Sequence, residues 1–96
     1  MIYEWDGKKA KVNQQKHGVS FEEAATIFLD PLALSYPDPH HSGEEKREIT
    51  IGHSNTGQVV FVSHSPRENR IRIISARKAT RRERKQYEEG ISKEIG

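Results

Sequence analysis

Arg47-Glu48-Ile49-Thr50-Ile51-Gly52-His53, then Asn55-Thr56-Gly57, Val59-Val60-Phe61-Val62 and Arg70-Ile71-Arg72-Ile73-Ile74-Ser75, are the segments that decide the fold. The first alternates with the period of a strand, setting Arg47, Ile49 and Ile51 on one face and Glu48 and Thr50 on the other. Asn55-Thr56-Gly57 supplies a tight turn. Residues 59–62 form the continuous apolar run expected of a central strand. Pro66, Glu68 and Asn69 make the next turn. Residues 70–75 then return with Ile71 and Ile73 on one face and Arg70, Arg72 and Ile74 on the other. Three successive strands on short turns make an antiparallel meander.

Working outward, residues 32–36 can start a further strand, followed by a polar loop over 37–43. Toward the N-terminus, residues 2–5 suit a short edge strand. Asp6 suits the N-cap of a helix over 7–17, with Ala10, Asn13, Gln14 and His17 on one side. Gly18 is its expected stop, and Lys16 and His17 sit well at its negative end. Ser20-Phe21-Glu22-Glu23 reads as a capping box, with the Glu23 carboxylate reaching back to the cap. Phe21, Ala24, Ala25 and Phe28 then lay an apolar stripe along a second helix, which Asp30-Pro31 ends. The two helices, joined through Gly18, form an αα-hairpin. Thr80-Arg81-Arg82-Glu83 is a second capping box, opening a last helix that Gly90 ends after about Glu89, with residues 91–96 fraying. The order β-αα-β-β-β-β-α predicts one α+β domain over residues 1–96. Its expected form is a single antiparallel sheet with the helices on one side, an N-terminal αα-hairpin and a C-terminal helix.

A chain of 96 residues buries only about 60–65% of its unfolded surface, so its core is modest. The absence of cysteine excludes a disulfide scaffold, a thiolate metal site and a cysteine nucleophile. Met1-Ile2-Tyr3-Glu4-Trp5-Asp6 lacks the layout of a signal peptide, and no apolar run is long enough to span a membrane. The expected location is the cytoplasm. Net charge is only +2, but it is unevenly spread. From Arg67 to Lys85 nine basic residues face two acidic ones, a local charge of +7 that leaves −5 for the remainder. Seven of the nine are arginines, the side chain best suited to phosphate forks. A polyanion or an acidic protein partner follows.

Three stretches carry a family resemblance. They are Glu4-Trp5-Asp6 with Lys9, Asn13 and Lys16-His17-Gly18; Ser20-Phe21-Glu22-Glu23-Ala24; and Ile71-Arg72-Ile73-Ile74-Ser75-Ala76-Arg77-Lys78-Ala79-Thr80 with Arg82-Glu83 and Tyr87. Asp30-Pro31, Asp38, Arg47 and Gly52 follow the same pattern. With these the chain resembles the BrnT family over nearly its whole length. The resemblance implies a RelE-like ribonuclease toxin of a bacterial type II toxin–antitoxin pair. It also implies neutralisation by a BrnA-like antitoxin carrying a ribbon-helix-helix DNA-binding domain, and repression of the operon by the pair, with operator DNA met only through that complex.

RNA can be cleaved without a metal because its own 2′-hydroxyl is the nucleophile. The protein must take that proton, neutralise the phosphorane and protonate the leaving 5′-oxygen. No cofactor or metal is expected. Arg72, projecting from the last strand among isoleucines, and Arg77, just beyond it, are the first candidates for phosphate contact. A structural role, such as Arg72 pairing with Glu48, stands beside that reading. Arg47 shares an apolar face with Ile49 and Ile51 and would approach Arg72 if the strands align. His64, on the face of Val60 and Val62, titrates near neutrality and is a candidate acid or base, or plain structure. Tyr87, one turn beyond Glu83, either donates a proton, stacks on a base or packs in the core. Lys9 matches the family's lysine and is a secondary candidate. His17 reads as helix-terminal, Trp5 as a buried ring, and the adjacent His40-His41 as weak evidence for a metal. The paired carboxylates Glu22-Glu23 and Glu44-Glu45 are read as cap and loop residues.

The leading function is therefore metal-independent endoribonucleolytic cleavage of mRNA, with the ribosome a possible setting. The alternatives are a nonenzymatic basic nucleic-acid-binding module and a purely interactional protein. Arginines set on apolar strand faces favour the enzyme. Dependence on Arg81, Arg82, Arg84 and Lys85 alone would favour simple binding.

Overall fold

The computed structural model describes residues 1–40, 43 and 45–95, and the side chains of these up to residue 90. His41 of the histidine pair, Ser42, Glu44 and Gly96 lie outside the described residues. Strand β1 (Ile2–Glu4) leads into α1 (Gly7–His17) and α2 (Phe21–Thr26), which tightens into a 3-10 turn (Ile27–Leu29). Strands β2 (Leu34–Pro37), β3 (Glu48–His53), β4 (Val59–Arg67) and β5 (Arg70–Lys78) follow, and α3 (Arg81–Ile95) closes the chain.

The helix starts obey the capping chemistry. Asp6 accepts from the amides of Lys8 and Lys9, and Gly18 ends α1 at φ 71°, a left-handed position suited to glycine. Ser20 accepts from the Glu23 amide at 3.0 Å. The carboxylate of Glu23 does not reach back, however. It crosses to the β3–β4 turn, where the Ser54 and Thr56 hydroxyls each donate to it at 2.7 Å. At α3 the box is reciprocal: Thr80 N donates to Glu83, and Glu83 N to Thr80 Oγ1.

The sheet runs β1-β5-β4-β3-β2. The meander is antiparallel as expected, but β1 lies parallel to β5, so the sheet is mixed and the purely antiparallel expectation is corrected. Alternation reports a strand's faces, not its partner, and β1 reaches the far edge only because two helices separate it from the next strand. That pairing spans only Arg70 to Arg72 of β5. Farther along, the side chain of Asn13 stands in for a strand, accepting from the Ala76 amide at 3.2 Å and donating to the Ala76 carbonyl at 2.8 Å. Asn13 is only 8% exposed, so its amide seals a buried strand edge that would otherwise lack partners.

Both faces of the sheet are covered, which corrects the expectation of helices on one side. Val19, Phe21, Ala24 and Ile27 pack from the α1–α2 region onto Val60, Val62, Ile73 and Ala76. On the opposite face Tyr87 of α3 packs with Ile49 and Ile51, flanked by Leu34, Tyr36 and Phe61. Each fully buried valine, isoleucine or phenylalanine among them contributes roughly 1.5–3 kcal/mol by leaving water. Strand β4 also continues through Pro66, read above as a turn residue. Proline is tolerated there because β3 ends at the Glu48↔His64 pair, leaving one side of β4 without a ladder. Nor does Gly90 end α3. A side chain at Gly90 would meet Leu34 Cδ2 at 3.3 Å, so the residue marks a close approach of helix to sheet.

The anchor of α3 is a polar network. The Tyr87 hydroxyl donates to Asp30 Oδ2 at 2.5 Å and lies 3.0 Å from His53 Nδ1, while the amides of His53 and Leu32 also donate to Asp30. Burial and the adjoining Asp30 carboxylate both raise the Tyr87 phenol above its ordinary pKa. Gly52 makes room, because a Cβ there would lie 3.3 Å from Asp30 Oδ2 and 3.1 Å from Ala33 Cβ. Tyr87→Phe is expected to lower the urea midpoint with an unchanged slope, at a cost of about 1–3 kcal/mol, because Asp30 loses one donor and keeps two.

Candidate active site and nucleic-acid interface

α3 covers only the end of its sheet face near the β3–β4 turn. Toward the β4–β5 turn no described helix packs on this face, and its residues are polar. Register places Glu4, Arg72 and Ser65 in one row across β1, β5 and β4. Arg47, one residue before the Glu48↔His64 pair, extends that row from the β3 side. Two strand spacings of about 4.8 Å put the backbones of Arg47 and Arg72 about 10 Å apart, with the small, buried Ser65 between them. The register thus sets Arg47 and Arg72 on either side of Ser65.

The charges on this face are organised. Arg67 pairs with Glu45 at 2.8 Å and with Glu4 at 3.8 Å, Arg70 with Glu4 at 3.4 Å, and Arg47 with Glu45 at 4.0 Å. The Arg47 Nε is buried without a hydrogen-bond partner among the described residues. Arg72, half-buried in the same surface, forms no ion pair with any described carboxylate; it does not pair with Glu48. Arg67, Arg70, Arg72 and Glu4 together line a cleft of about 500 Å³. Lys9, on α1, lies outside this cleft and lines the groove between α1 and β5. The Asp6 carboxyl is held below its ordinary pKa chiefly by the Lys9 amide, with the charges of Lys9 and Arg72 adding to the effect. Along the chain Asp6, whose carboxylate caps the Lys9 amide, stands two residues beyond the Glu4↔Arg72 pair.

The remaining candidates are placed differently. Arg77 lies on the same face at the border of α3, bound to Glu83 by two hydrogen bonds of 2.7 and 3.0 Å and stacked 4.0 Å from the Phe61 ring centroid. That bidentate pair raises the Arg77 guanidinium above its ordinary pKa and holds Glu83 ionised at the helix start. Tyr87 is 1% exposed and spent on Asp30, so its ring is core. His64 is 4% exposed on the opposite face, edge-on to Phe28 at 4.9 Å. Its Nε2 lies 2.7 Å from the Thr50 hydroxyl, which is itself 2.7 Å from Ser35. The sheet thus separates His64 from the arginine row, whereas Tyr87 lies on the same face as the row, enclosed under α3. His17 and His40 are exposed. No group of three or more His, Asp or Glu side chains converges to hold a metal among the described residues.

The sequence reading gives Glu45 only as a loop carboxylate and Glu4 only as part of a family motif, and it does not single out Ser65. Glu45 sits in a polar loop without periodicity. Ser65 and Glu4 acquire meaning only from the register of β4 and the parallel pairing of β1.

Residues 5–83 match the family described as the ribonuclease toxin BrnT of type II toxin–antitoxin systems. The chain belongs to the BrnT family. The fold is shared with the crystal structure of the ribonuclease toxin BrnT of Brucella abortus, at a TM-score of 0.64 and 24% identity, over 84% of this chain and all of that one. No curated protein matches the chain. The BrnT match takes in Lys9, Arg47, His64, Arg72 and Arg77 and stops at Glu83, short of Tyr87 and most of α3. No helix among the described residues is long and apolar enough to cross a membrane.

Burial lowers the pKa of His64 from 6.5, with the charge of Glu48 opposing. The unfolded chain then binds the proton more readily than the folded one, so stability is full above about pH 6.5 and falls as the pH drops below it. Urea midpoints at pH 7.5 and 5.5 should show this loss, and His64→Gln should flatten it.

Proposed function

We propose that this BrnT-family chain is a metal-independent endoribonuclease of mRNA whose phosphate site is the arginine row, with Arg72 as the principal ligand. The observation that carries this is the free charge of Arg72. Arg47, Arg67, Arg70 and Arg77 are each within 4.0 Å of a carboxylate, and Arg72 has none among the described residues. An arginine without an ion pair of its own beside paired neighbours, in an open cleft, is suited to an external phosphate. In the reaction the 2′-oxygen attacks phosphorus, the 5′-oxygen leaves, and the products are a 2′,3′-cyclic phosphate and a 5′-hydroxyl. Arg72, with Arg47 across Ser65 and Lys9 beside Asp6, would neutralise the charge that builds on the phosphorane. Arg77 would orient the border of the site through Glu83 and Phe61. His64 and Tyr87 are too enclosed to transfer protons on this face.

The same reading includes a single RelE-like domain acting in the cytoplasm, on ribosome-bound or free mRNA. A BrnA-like antitoxin with a DNA-binding domain would silence it, and operator DNA would be met only through that complex. A nonenzymatic module would instead rely on Arg81, Arg82, Arg84 and Lys85, which are exposed on α3.

The test is incubation of antitoxin-free protein with labelled RNA. Arg72→Ala is expected to lower kcat/KM at least about a hundredfold, the usual cost of one transition-state charge donor, with its urea midpoint unchanged. Equal cleavage by Arg72→Ala would remove it from the mechanism. Chelation with EDTA should leave the wild-type rate intact, and loss restored by a divalent cation would refute metal independence.

A further inference from the structure

α1 carries Lys8, Lys9, Lys11 and Lys16 and no acidic residue. It lies along the edge of β5 beyond the end of β1, held there by the Asn13–Ala76 hydrogen bonds. Between helix and strand edge runs an open groove of about 390 Å³. Val12, 60% exposed, and Ile74 give it an apolar floor, and Lys8, Lys9, Lys16 and His17 form its rim. Among the described residues none of these lysines forms an ion pair with a carboxylate. At one end the Lys9 amide donates to Asp6, two residues beyond the Glu4↔Arg72 pair, so the groove begins where β1 leaves the arginine row.

We propose that this groove is a subsite for an unpaired nucleotide of the RNA, one beyond the two that flank the phosphate held by Arg72. The proposal rests on the ribonuclease reading and extends it by naming single-stranded RNA as the substrate class. The floor offers one valine and one isoleucine, enough to receive the face of a single base and far too little for a protein interface, which buries about 800 Å² per partner. The volume lies in the range of small-ligand sites. A cationic rim around an apolar floor is the arrangement that takes a splayed base while its flanking phosphates meet lysines. A base can enter only if unstacked, so duplex RNA is excluded. Because the Asn13 amide is spent on the backbone, the floor carries little hydrogen-bond readout and selects for a planar face more than for sequence.

The test compares Lys8→Ala/Lys16→Ala with wild type on two probes. Neither residue belongs to the phosphate site proposed above, and both are exposed on α1. The first probe is a 2′-O-methyl hexauridylate, which cannot be cleaved, followed by fluorescence anisotropy. The second is cleavage of the dinucleotide UpA, too short to fill both sites. The double variant should bind the hexanucleotide about tenfold more weakly, with a salt dependence shallower by about 1.4, as two lost phosphate contacts require on a single strand. Its dinucleotide rate should equal wild type. Val12→Asp should weaken hexanucleotide binding in the same direction. Unchanged hexanucleotide affinity in both variants overturns the subsite. So does loss of affinity for the co-encoded antitoxin with RNA binding intact, which would make the groove a protein-docking surface. If wild type binds the hexanucleotide with this lysine dependence but cleaves neither UpA nor longer RNA, the catalytic reading fails and the subsite stands.

Discussion

The hydrogen bond from Tyr87 to Asp30 governs where the last helix lies, and with it which part of the sheet stays open. Asp30 is itself fixed at the end of the α2 region by the amides of Leu32 and His53. The helix is thereby pinned over the β3–β4 end of one face, with Gly52 and Gly90 admitting the close approaches. An α3 laid half a strand farther along would cover Ser63 and Ser65 and bury the arginines. A buried phenol is costly unless its hydroxyl finds an acceptor, and the half-buried Asp30 supplies one, which gives the contact its positional authority.

β5 carries the other half of the arrangement. One side of it is zipped to β4, and the other is shared between β1 and the side chain of Asn13. Its inward residues Ile73 and Ala76 fill the main core. Its outward residues Arg70, Arg72 and Arg77 reach the open face. A register shift between Ser63 and His64 lets the strand keep both sets on their proper sides past the bulge. The same nine residues thus supply part of the core and the arginines of the open face.

Electrostatics separates residues of one type into different roles. Arg77 is locked by Glu83 and Phe61, Arg67 and Arg70 are shared with Glu4 and Glu45, and Arg72 is left to face solvent. Counting arginines in the sequence treats these as equivalent. The same holds for His64, whose strand-end position suggested chemistry but whose ring is enclosed by Phe28 and Thr50 on the other face.

Local information in the sequence was sufficient for the elements: caps at Asp6, Ser20 and Thr80, the stop at Gly18, the alternation of β3 and the turn at Asn55-Thr56-Gly57 all act within a few residues. The charge asymmetry and the family's motifs were equally plain there. Tertiary structure alone decided the parallel pairing of β1, the placement of α3 on the second face and its passage through Gly90. It alone decided that Arg47 and Arg72 flank Ser65, that Glu23 serves the distant turn, and that Tyr87 is an anchor. The reason is physical. Caps and periodicity are short-range and read along the chain, whereas strand partners, buried polar pairs and the choice of which arginine stays unpaired depend on groups up to 66 residues apart meeting in space.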